Sequence, residues 1–389
     1  MRVLLVSSGS GSRGGGEIFL DYLGKELADR GHDVLMWIPN HPRMDELARK
    51  CARFAQIFRA KYRNTYDYPA RSLSTCFNWR ASRRIAREWK ALQPDVVHIN
   101  KQNLEDGLDL MRAIRLCTLP SVCTIHLTQN ARYLRARAGW LRDIIARGQL
   151  SSYKGVLVAV QEARRSVLSE FLCGRASTKL IFNGVPRVND AVSRPLRDAK
   201  RSELGLSDSD CLVLGVGRLV EQKRPFLFLR TAKELHERLP ATKFLWVGDG
   251  ELAEEWQRAI TREKLENVIR CAGWQIDVLP YLLASDLLLH VAEFEGLPLA
   301  VIEAMAAGLT CAVTKNLSSE VPLFNKGNVL FADDIGDLAE QLRNPLALAR
   351  IAEGGRRLVE DTLSVSKMAE SYEQLYLDAR RGFSDFVFR

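Results

Sequence analysis

Residues 1–31 are MRVLLVSSGS GSRGGGEIFL DYLGKELADR G, which is an apolar run, a glycine-rich loop and a helix-length segment in that order. Residues 3–6 predict a buried strand, and residues 17–30 predict a helix that stops before Gly31. The same alternation of short apolar runs and helix-length segments continues along the chain. It predicts an α/β protein with parallel strands in doubly wound sheets.

Two sets of predicted strands, separated by a polar stretch, indicate two domains. The first set lies near residues 3–6, 33–38, 96–99, 121–125, 155–160 and 179–181. The second set lies near residues 211–216, 243–247, 268–272, 286–290 and 310–314. We therefore predict one domain over residues 1–183, a second over 184–371 and a cleft between their sheets. Polar residues up to about 210 are expected to form a linker, and a helix at about 372–389 is expected to pack back on the first domain.

The composition is that of an ordinary soluble globular protein, with 47% apolar and 26% charged residues among 389. It excludes a disordered, fibrous or collagen-like chain. The apolar runs are far shorter than the roughly 20 residues that span a bilayer, and the first run is too short for a secretory signal. The eight cysteines form no C-x-x-C pair, which favours reduced core residues in a cytoplasmic protein over zinc ligands or disulfides.

The net charge of +9 is unevenly distributed along the chain. Residues 1–190 carry 31 Lys and Arg against 17 Asp and Glu, whereas the remainder is acidic. We therefore expect the basic half to face an anionic partner. Nucleic acid, an acidic lipid surface and a phosphorylated substrate all satisfy this expectation, and net charge alone does not separate them.

The glycines of the first loop match the pattern G-x-G-x-x-G at Gly9, Gly11 and Gly14, between a strand and a helix. A dinucleotide site would also need an acidic residue at the end of the second strand, where residues 37–40 are Trp-Ile-Pro-Asn. This disfavours NAD. Two alternatives stay open: a flexible turn, or a helix start at residues 14–16 whose backbone amides approach an anion such as a diphosphate.

Two cations lie on one loop of the second half. Arg218 leaves a predicted strand through a glycine turn, and Lys223 follows five residues later. The loop could simply be solvated, but open α/β sheets bind their ligands at the carboxyl ends of parallel strands. This position favours a role in ligand binding.

A pair of glutamates follows a later strand in the same half. Glu295 lies in a loop, Pro298 suits the start of a helix over about 299–307, and Glu303 lies within that helix. The amides of residues 296–299 and the positive end of the helix dipole form a ready site for phosphate oxygens. A carboxylate buried at Glu303 needs hydrogen-bond donors. Either two sugar hydroxyls or an internal partner such as an arginine would supply them.

The spacing Glu295-x7-Glu303, with Arg218 and Lys223 upstream, resembles the signature of retaining GT-B glycosyltransferases of family 4. The resemblance covers most of the chain, because it also includes the loops at residues 14–17, 183–185 and 247–251. It implies a GT-B fold, in which two Rossmann-like domains face a central cleft. It also implies a hexosyltransferase-like enzyme that moves a sugar from a nucleotide-diphosphate sugar to a hydroxyl acceptor in polysaccharide, lipid-linked or small-molecule glycoconjugate biosynthesis.

The resemblance also implies roles for single residues. Arg218 and Lys223 would neutralise the departing diphosphate. Glu295 would contact hydroxyls of the transferred sugar, and Glu303 would contact the ribose. Gly15 or Gly16 would lie against the diphosphate from the first domain. Further residues of the donor-binding set would be Gly248, Gly296, Leu297, Pro298 and Trp274, the last as a wall of the base pocket or as a core residue.

His126, which ends a predicted strand, matches a histidine that members of this family often carry, and it would approach the donor sugar near the reacting carbon. Leu127 and Leu297 depart from an acidic and an aromatic residue common in the family, and both departures bear on the identity of sugar and acceptor. Cations and helix amides would stabilise the leaving group, so we expect neither a metal nor another cofactor. The family implies a front-face route with retention. Asp208 and Asp210 match a metal-binding Asp-x-Asp by letters alone and are expected to form a turn.

Two basic stretches, residues 79–92 and 132–147, combine arginines with aromatic and aliphatic residues at helical spacing. They predict either two ordinary amphipathic helices that face the core, or a surface that contacts anionic lipid or a phosphorylated acceptor. A peripheral membrane location therefore stays open. The alternatives to transfer are a nucleotide-sugar epimerase of GT-B fold and a non-catalytic nucleic-acid-binding protein. Nucleic acid is not the expected partner, because neither stretch forms a recognisable nucleic-acid-binding module.

Overall fold

The chain forms two compact units, which we describe from a computed structural model. The model describes residues 1–9, 14–65, 68 and 72–387, with side chains in the last helix through residue 382. The N-terminal unit consists of Met1–Asn183 and the segment from Val365 onward, and the C-terminal unit is Gly184–Ser364. Both units are built on parallel sheets, so the predicted fold class of two doubly wound α/β domains is confirmed.

The sheet of the N-terminal unit contains seven strands within the described ranges, in the order β3-β2-β1-β4-β5-β6-β7. The strands are β1 (Arg2–Ser7), β2 (Asp33–Pro39), β3 (Gln56–Ala60), β4 (Val96–Asn103), β5 (Ser121–Leu127), β6 (Val156–Ala159) and β7 (Thr178–Leu180). Leu4 and Val6 of β1 belong to one hydrophobic cluster, whereas Val3 and Leu5 belong to another. Because successive strand residues point to opposite faces, both faces of this sheet are buried.

Helices connect these strands and cover both faces of the sheet. They are α1 (Gly15–Asp29), α2 (Asp45–Cys51), α3 (Ser72–Cys76), α4 (Trp79–Ala91), α5 (Leu108–Cys117), α6 (Gly139–Ser151) and α7 (Glu162–Phe171). The helix predicted after the glycine loop is α1. It ends before Gly31, whose φ of +84° suits glycine.

The C-terminal unit repeats the design with six strands among its residues, in the order β10-β9-β8-β11-β12-β13. The strands are β8 (Cys211–Val216), β9 (Thr242–Val247), β10 (Ile269–Gly273), β11 (Leu287–His290), β12 (Thr310–Val313) and β13 (Leu330–Phe331). The helices are α8 (Asp190–Glu203), α9 (Pro225–Arg238), α10 (Ala253–Arg262), α11 (Leu279–Ala284), α12 (Leu299–Ala306), α13 (Lys315–Glu320), α14 (Ile335–Leu342) and α15 (Pro345–Asp361). Each predicted strand is present, and β3 and β13 are additional short strands that the prediction missed.

The linker predicted up to residue 210 is wrong, because its central part is the helix α8. The buried side of α8 is made by arginine rather than by apolar residues. Arg201, 7% exposed, donates to the carbonyls of Ala284 (3.0 Å) and Ser207 (2.6 Å), and Arg197 donates to Asp286 at 2.7 Å. Apolar periodicity could not indicate a helix whose packing is carried by guanidinium groups and the aliphatic stems behind them.

The last helix, α16 (Val365–Val387), packs within the N-terminal unit. Tyr376 Oη lies 2.6 Å from His98 Nδ1, and Tyr372 Oη lies 2.7 Å from Thr124 Oγ1, which in turn lies 2.8 Å from His98 Nε2. These buried hydroxyls find partners on β4 and β5, as buried polar groups must. The network fixes α16 on the sheet. His98 is neutral because burial, together with the nearby His126, lowers its pKa to about 3.

None of the helices in the described ranges combines the length and the low polarity that a membrane-spanning helix requires.

Candidate functional site

The charged residues singled out in the second half lie where the C-terminal sheet changes direction. β8 pairs with β9 on one side and with β11 on the other. The loop after β8 carries Arg218 and Lys223, and the loop after β11 carries Glu295. Neighbouring parallel strands whose connections run in opposite directions leave a crevice at their carboxyl ends, where ligands of open α/β sheets bind.

Hydrogen bonds and an ion pair hold these two loops together. The amide of Glu293 donates to the carbonyl of Gln222 at 2.8 Å, and Gln222 Nε2 donates to the carbonyl of Phe294 at 2.8 Å. Arg224 forms an ion pair with Glu293 at 3.3 Å. The position of Lys223 relative to Glu295 is therefore set by contacts between the two neighbours of Lys223 and the two residues that precede Glu295.

Lys223, Glu295 and His290 form a chain of polar contacts at this position. Lys223 Nζ donates to Glu295 Oε1 and forms an ion pair with it, and His290 Nε2 lies 3.2 Å from the same oxygen. Glu295 is 8% exposed and His290 is 3% exposed. The contact with a carboxylate requires the hydrogen of the imidazole to be on Nε2.

The ionisation of Glu295 results from two opposing effects. Burial alone would raise the pKa of Glu295, but Lys223 and the hydrogen bond from His290 outweigh it and hold this pKa at about 2. Burial lowers the pKa of His290 despite the adjacent carboxylate. At neutral pH the site therefore contains a fixed carboxylate, an ammonium group and a neutral imidazole.

His290 was not among the predicted site residues, although the sequence contained a signal for it. It is the only polar residue of β11, Leu287–His290, and it stands at the carboxyl end of that strand. His126 in the first half also lies at the end of a strand, but its predicted role came from the resemblance to the family rather than from that position. What the sequence could not show is that the chain returns five residues later to bring Glu295 against His290.

Two glycines allow the β8 and β9 loops to approach each other. Gly217 has a φ of +152° and Gly248 a φ of +138°, conformations that residues with a side chain rarely adopt. A Cβ atom on Gly248 would collide with the carbonyl of Gly217, and one on Gly217 would lie 3.3 Å from the stem of Lys223. The half-buried Arg218 follows directly, so Arg218 and Lys223 belong to one compact turn.

The loop that leads from Glu295 into α12 is buried at Gly296, Leu297 and Pro298. Pro298 is the N-cap of α12 rather than its first residue, with φ −71° and ψ 103°. Proline has no side-chain acceptor for the first-turn amides, and the positive end of the helix dipole lies at this point. Glu303, 8% exposed, lies one turn into α12. The half-buried Trp274 follows β10 at the same edge of the sheet, two strands from β8.

In the N-terminal unit, Asn100 brings two predicted residues together. Gly15 and Gly16 begin α1, and Asn100 Nδ2 donates to the carbonyl of Gly16 at 2.9 Å. The other end of the Asn100 amide, Oδ1, lies 2.7 Å from His126 Nε2. Gly11, which belonged to the predicted glycine pattern, lies outside the described residues.

The Asn100 amide also fixes the protonation of His126. Since Asn100 Nδ2 must donate to the Gly16 carbonyl, its Oδ1 must accept, and the imidazole hydrogen is therefore on His126 Nε2. Burial lowers the pKa of His126 to about 4, so the ring is neutral near pH 7. His126 Nδ1 is consequently a hydrogen-bond acceptor. Asn100 itself was missed, because an asparagine inside a strand gives no sequence signal for a long-range contact.

The aspartates at residues 208 and 210 form a turn between α8 and β8. Asp210 Oδ2 accepts from the amide of Ser207 at 2.8 Å and from its hydroxyl at 2.7 Å. In the part of the chain that the structure describes, no group of three or more His, Cys, Asp or Glu residues is arranged to hold a metal ion. That the reaction needs no metal stays a prediction.

Two family models match the chain, one for each unit. The model described as "Glycosyltransferase Family 4" matches residues 13–187, and the model described as "Glycosyl transferases group 1" matches residues 210–347. Together they cover most of the sequence, including residues 14–16 of the glycine loop, Arg218, Lys223, Glu295 and Glu303.

Among curated proteins, an Escherichia coli UDP-Gal:alpha-D-GlcNAc-diphosphoundecaprenol alpha-1,3-galactosyltransferase is 25% identical over 295 residues, which are 73% of this chain and 75% of that protein. The N-acetyl-alpha-D-glucosaminyl L-malate synthase of Bacillus anthracis is 22% identical over 379 residues, 95% of each chain. Among solved structures, Anabaena HepE in complex with UDP and glucose gives a TM-score of 0.74 at 17% identity, covering 96% of this chain and 99% of that one. The HepE structure shares the fold described above.

Proposed function

Because the chain belongs to the GT-B glycosyltransferases of the group 1 and family 4 type, we propose that its C-terminal unit binds a nucleotide-diphosphate sugar and its N-terminal unit binds a hydroxyl acceptor. The observation that carries this proposal is the contact of Lys223 and His290 with the ionised Glu295 at the β8/β11 crevice. Solved structures of Anabaena HepE contain UDP, UDP-glucose or UDP with glucose, which favours a uridine nucleotide as the first donor to test.

The leaving group of this reaction is a nucleoside diphosphate. Lys223 has three ammonium hydrogens, so it can donate to phosphate oxygens while it donates to Glu295. Arg218 adds a second cation from the same turn, and the first-turn amides of α12 add further donors. Groups fixed in place before the reaction stabilise developing negative charge without reorganisation, and this is usually the largest catalytic contribution.

Glu295 is suited to hold the transferred sugar rather than to attack it. Its carboxylate is ionised and can accept hydrogen bonds from sugar hydroxyls, with Lys223 and His290 fixing its orientation. The same two contacts reduce its nucleophilicity. This supports a front-face route with retention, in which the bond from the anomeric carbon to the β-phosphate oxygen breaks, the acceptor oxygen bonds to that carbon, and the acceptor proton passes to the departing phosphate.

We propose that no metal ion takes part. Arg218, Lys223 and the amino end of α12 supply the positive charge that a bound cation provides in other transferases. Glu303 contacts the ribose, Trp274 and Gly248 lie beside the nucleotide, and Gly15 or Gly16 contacts the diphosphate in this proposal. His126 accepts a hydrogen bond from a donor-sugar hydroxyl through Nδ1.

A melting experiment tests the proposed donor class. A ligand at one hundred times its Kd adds about 2.7 kcal/mol to the stability of the form that binds it. We expect a UDP-sugar, or failing that a GDP- or ADP-sugar, to raise the Tm of the full chain, with inorganic phosphate as the control. No shift with any of the three donor classes would contradict the proposal. Product analysis with and without acceptor separates transfer from epimerisation.

We also propose that the acceptor is lipid-linked and that the protein contacts an anionic membrane through its N-terminal unit. The predicted alternative for the first basic stretch holds in part: Ile85, Ala86 and Trp89 of α4 are buried in the core. Beside them, however, lies a set of exposed apolar side chains that we call the aromatic patch. It consists of Phe77, Trp79, Tyr133, Leu134, Trp140 and Ile144.

The aromatic patch lies on elements that pack together and carry many cations. Phe77 follows α3, which packs against α6, and it is 85% exposed, while Trp140 on α6 is 61% exposed. Exposed arginines surround these side chains at positions 80, 83, 87, 132, 135 and 137. Amphipathic surfaces of this composition lie at the headgroup level of anionic bilayers. The Escherichia coli relative acts on a diphosphoundecaprenol-linked sugar, which fits a lipid-linked acceptor.

Co-sedimentation with vesicles tests this surface. We expect the chain to bind phosphatidylglycerol vesicles and not phosphatidylcholine vesicles, and we expect Trp140→Glu to weaken the binding at least about fivefold, since each surface cation and apolar side chain contributes on the order of 1 kcal/mol. Leu346→Glu is the matched control, because Leu346 is an 82% exposed apolar residue of the C-terminal unit. Equal binding to both lipids, or equal loss in both variants, would contradict the proposal.

A further inference from the structure

A cavity of about 570 Å³ lies within the N-terminal unit at the carboxyl ends of β4 and β5. Its volume is within the range of about 300–1,000 Å³ that small-molecule sites occupy. Apolar walls are formed by Leu73, Leu104, Ala131 and Leu134. The edge of a parallel sheet at which the cavity lies is the one where such proteins bind ligands.

The buried charged groups that line the cavity are occupied by one another or by backbone. Arg142 Nε and Nη2 donate to the two carboxylate oxygens of Glu105, at 2.6 Å and 2.5 Å. Asp143 accepts from the amides of Ala131 at 2.7 Å and Arg132 at 3.2 Å. The bidentate pair and the doubly bonded carboxylate account for the buried charges of the described wall, and Arg137, the other cation of the lining, is exposed.

Gln129 differs from every other buried polar residue in the wall. It follows β5 by two residues, it is 6% exposed, and it lines the cavity. Neither Oε1 nor Nε2 of its carboxamide has a hydrogen-bond partner among the described residues. A buried amide without partners costs free energy that a folded protein normally avoids, so a ligand that supplies both a donor and an acceptor is the natural partner.

We propose that this cavity binds an uncharged sugar ring of the acceptor, and that Gln129 recognises it through a pair of hydrogen bonds. The carboxamide presents one acceptor and two donor hydrogens side by side, which matches two vicinal hydroxyls or the acetamido group of an amino sugar. The leucine and alanine walls pack against the C–H faces of the ring. The proposal names the substrate class of the acceptor site and therefore rests on the proposed transferase function.

The lining also connects the cavity to the aromatic patch. Leu134 belongs to both, since it lines the cavity and is 45% exposed. Leu73 of α3 lines the cavity, and Phe77 follows the same helix. A sugar held beside Gln129 therefore lies next to the surface on which we place the membrane, the arrangement that a lipid-linked sugar requires.

Ligand-observed NMR on the full chain tests the proposal with three methyl glycosides, those of glucose, galactose and N-acetylglucosamine, in the presence of saturating UDP. We expect at least one glycoside to bind. Gln129→Met keeps the length of the side chain and removes its hydrogen-bonding groups. It is therefore expected to weaken the binding of that glycoside at least about fivefold while leaving UDP affinity unchanged. Gln56→Met is the matched control, because Gln56 is an exposed residue of the edge strand β3.

Thermal melting separates recognition from a structural role. Removing a buried amide that has no partner among the described residues should raise the Tm of Gln129→Met by about 2–4 °C, whereas replacing a glutamine that holds the fold together would lower it. Leu134→Trp narrows the cavity at its exposed rim and should weaken the binding of the same glycoside. This variant tests whether the glycoside binds in the cavity if Gln129→Met does not fold.

Two results would overturn the proposal. The first is binding of none of the three glycosides by a chain that binds UDP. The second is a glycoside affinity in Gln129→Met, or in Leu134→Trp, that stays within about twofold of the wild type. Failure to bind UDP or a UDP-sugar in any form of the chain would instead count against the proposed function.

Discussion

Glu295 in the C-terminal unit and His126 in the N-terminal unit are titratable groups buried to nearly the same degree, at 8% and 7% exposure. Burial favours the neutral form in each unit. Only Glu295 has an ammonium group against it, and only Glu295 is held as an ion. The difference shows that a counter-ion, rather than exposure, decides which of these two side chains is charged, and it agrees with the proposal that Glu295 acts as an ion and His126 as a neutral group.

The largest expected effect comes from removing the charge on Glu295. Glu295→Gln preserves the size of the side chain, but its neutral amide cannot form an ion pair with Lys223. We expect the rate of sugar transfer to fall about 100- to 1,000-fold. UDP affinity should change by less than about threefold, because the phosphate contacts remain.

The matched control for this substitution is Glu293→Gln, two residues earlier in the same loop. Glu293 is paired with Arg224 at 3.3 Å and its side chain is 46% exposed, so its charge is screened by solvent. Steady-state kinetics of both variants give the answer. Transfer by Glu295→Gln within about threefold of Glu293→Gln would show that the fixed carboxylate has no part in the reaction.

The next effect comes from removing the counter-ion itself. Lys223→Met should weaken UDP binding about 10- to 100-fold in calorimetry, since hydrogen bonds to charged groups contribute about 1.5–3 kcal/mol. It should also raise the pKa of Glu295, because the largest interaction that opposes the effect of burial is then lost. Lys233→Met provides the control at a half-buried lysine that is paired with Glu263 at 2.7 Å. An unchanged Kd for UDP in Lys223→Met would show that the diphosphate does not bind at this position.

The smallest expected effect comes from His126 and appears in the dependence of folding stability on pH. The pKa of His126 is lowered from 6.5 to about 4 by burial, so the unfolded chain binds a proton at a higher pH than the folded chain does. Stability is therefore complete above about pH 6.5 and falls as the pH decreases toward 4. Between pH 7 and pH 5 this one group should account for about 2 kcal/mol.

A comparison of variants isolates that contribution from the other titrating groups. We expect His126→Gln to lose about 2 kcal/mol less than the wild type between pH 7 and pH 5, measured by urea unfolding. His41→Gln, at an exposed position, should follow the wild type. Parallel losses in the wild type and His126→Gln would mean that His126 is not held neutral.

The sequence predicted those parts of the molecule that depend on local pattern. The strands that precede the loops of Arg218 and Glu295 are apolar runs, and Pro298 marks the start of α12. The loops that carry charge could therefore be located to within a residue or two. The helix α8 could not be predicted, because its packing depends on carbonyls about 80 residues away that accept from Arg201.

The same limit applies inside the candidate sites. The contact of Asn100 with His126 exists only after β4 and β5 have paired, and the contact of His290 with Glu295 exists only after the loop that follows β11 has folded back on that strand. An asparagine or glutamine in a buried segment has no distinctive spacing, and whether its amide has partners is a property of the folded chain. Prediction therefore named the charged residues of the candidate site and His126, and it missed Asn100, His290 and Gln129.

Hydrogen–deuterium exchange of the full chain with and without UDP-glucose tests the central claim most directly. The account predicts slower exchange of backbone amides at residues 215–224 and 293–303, the two loops that meet at the β8/β11 crevice and the start of α12. Unchanged exchange rates in both segments while UDP-glucose is bound would contradict this account.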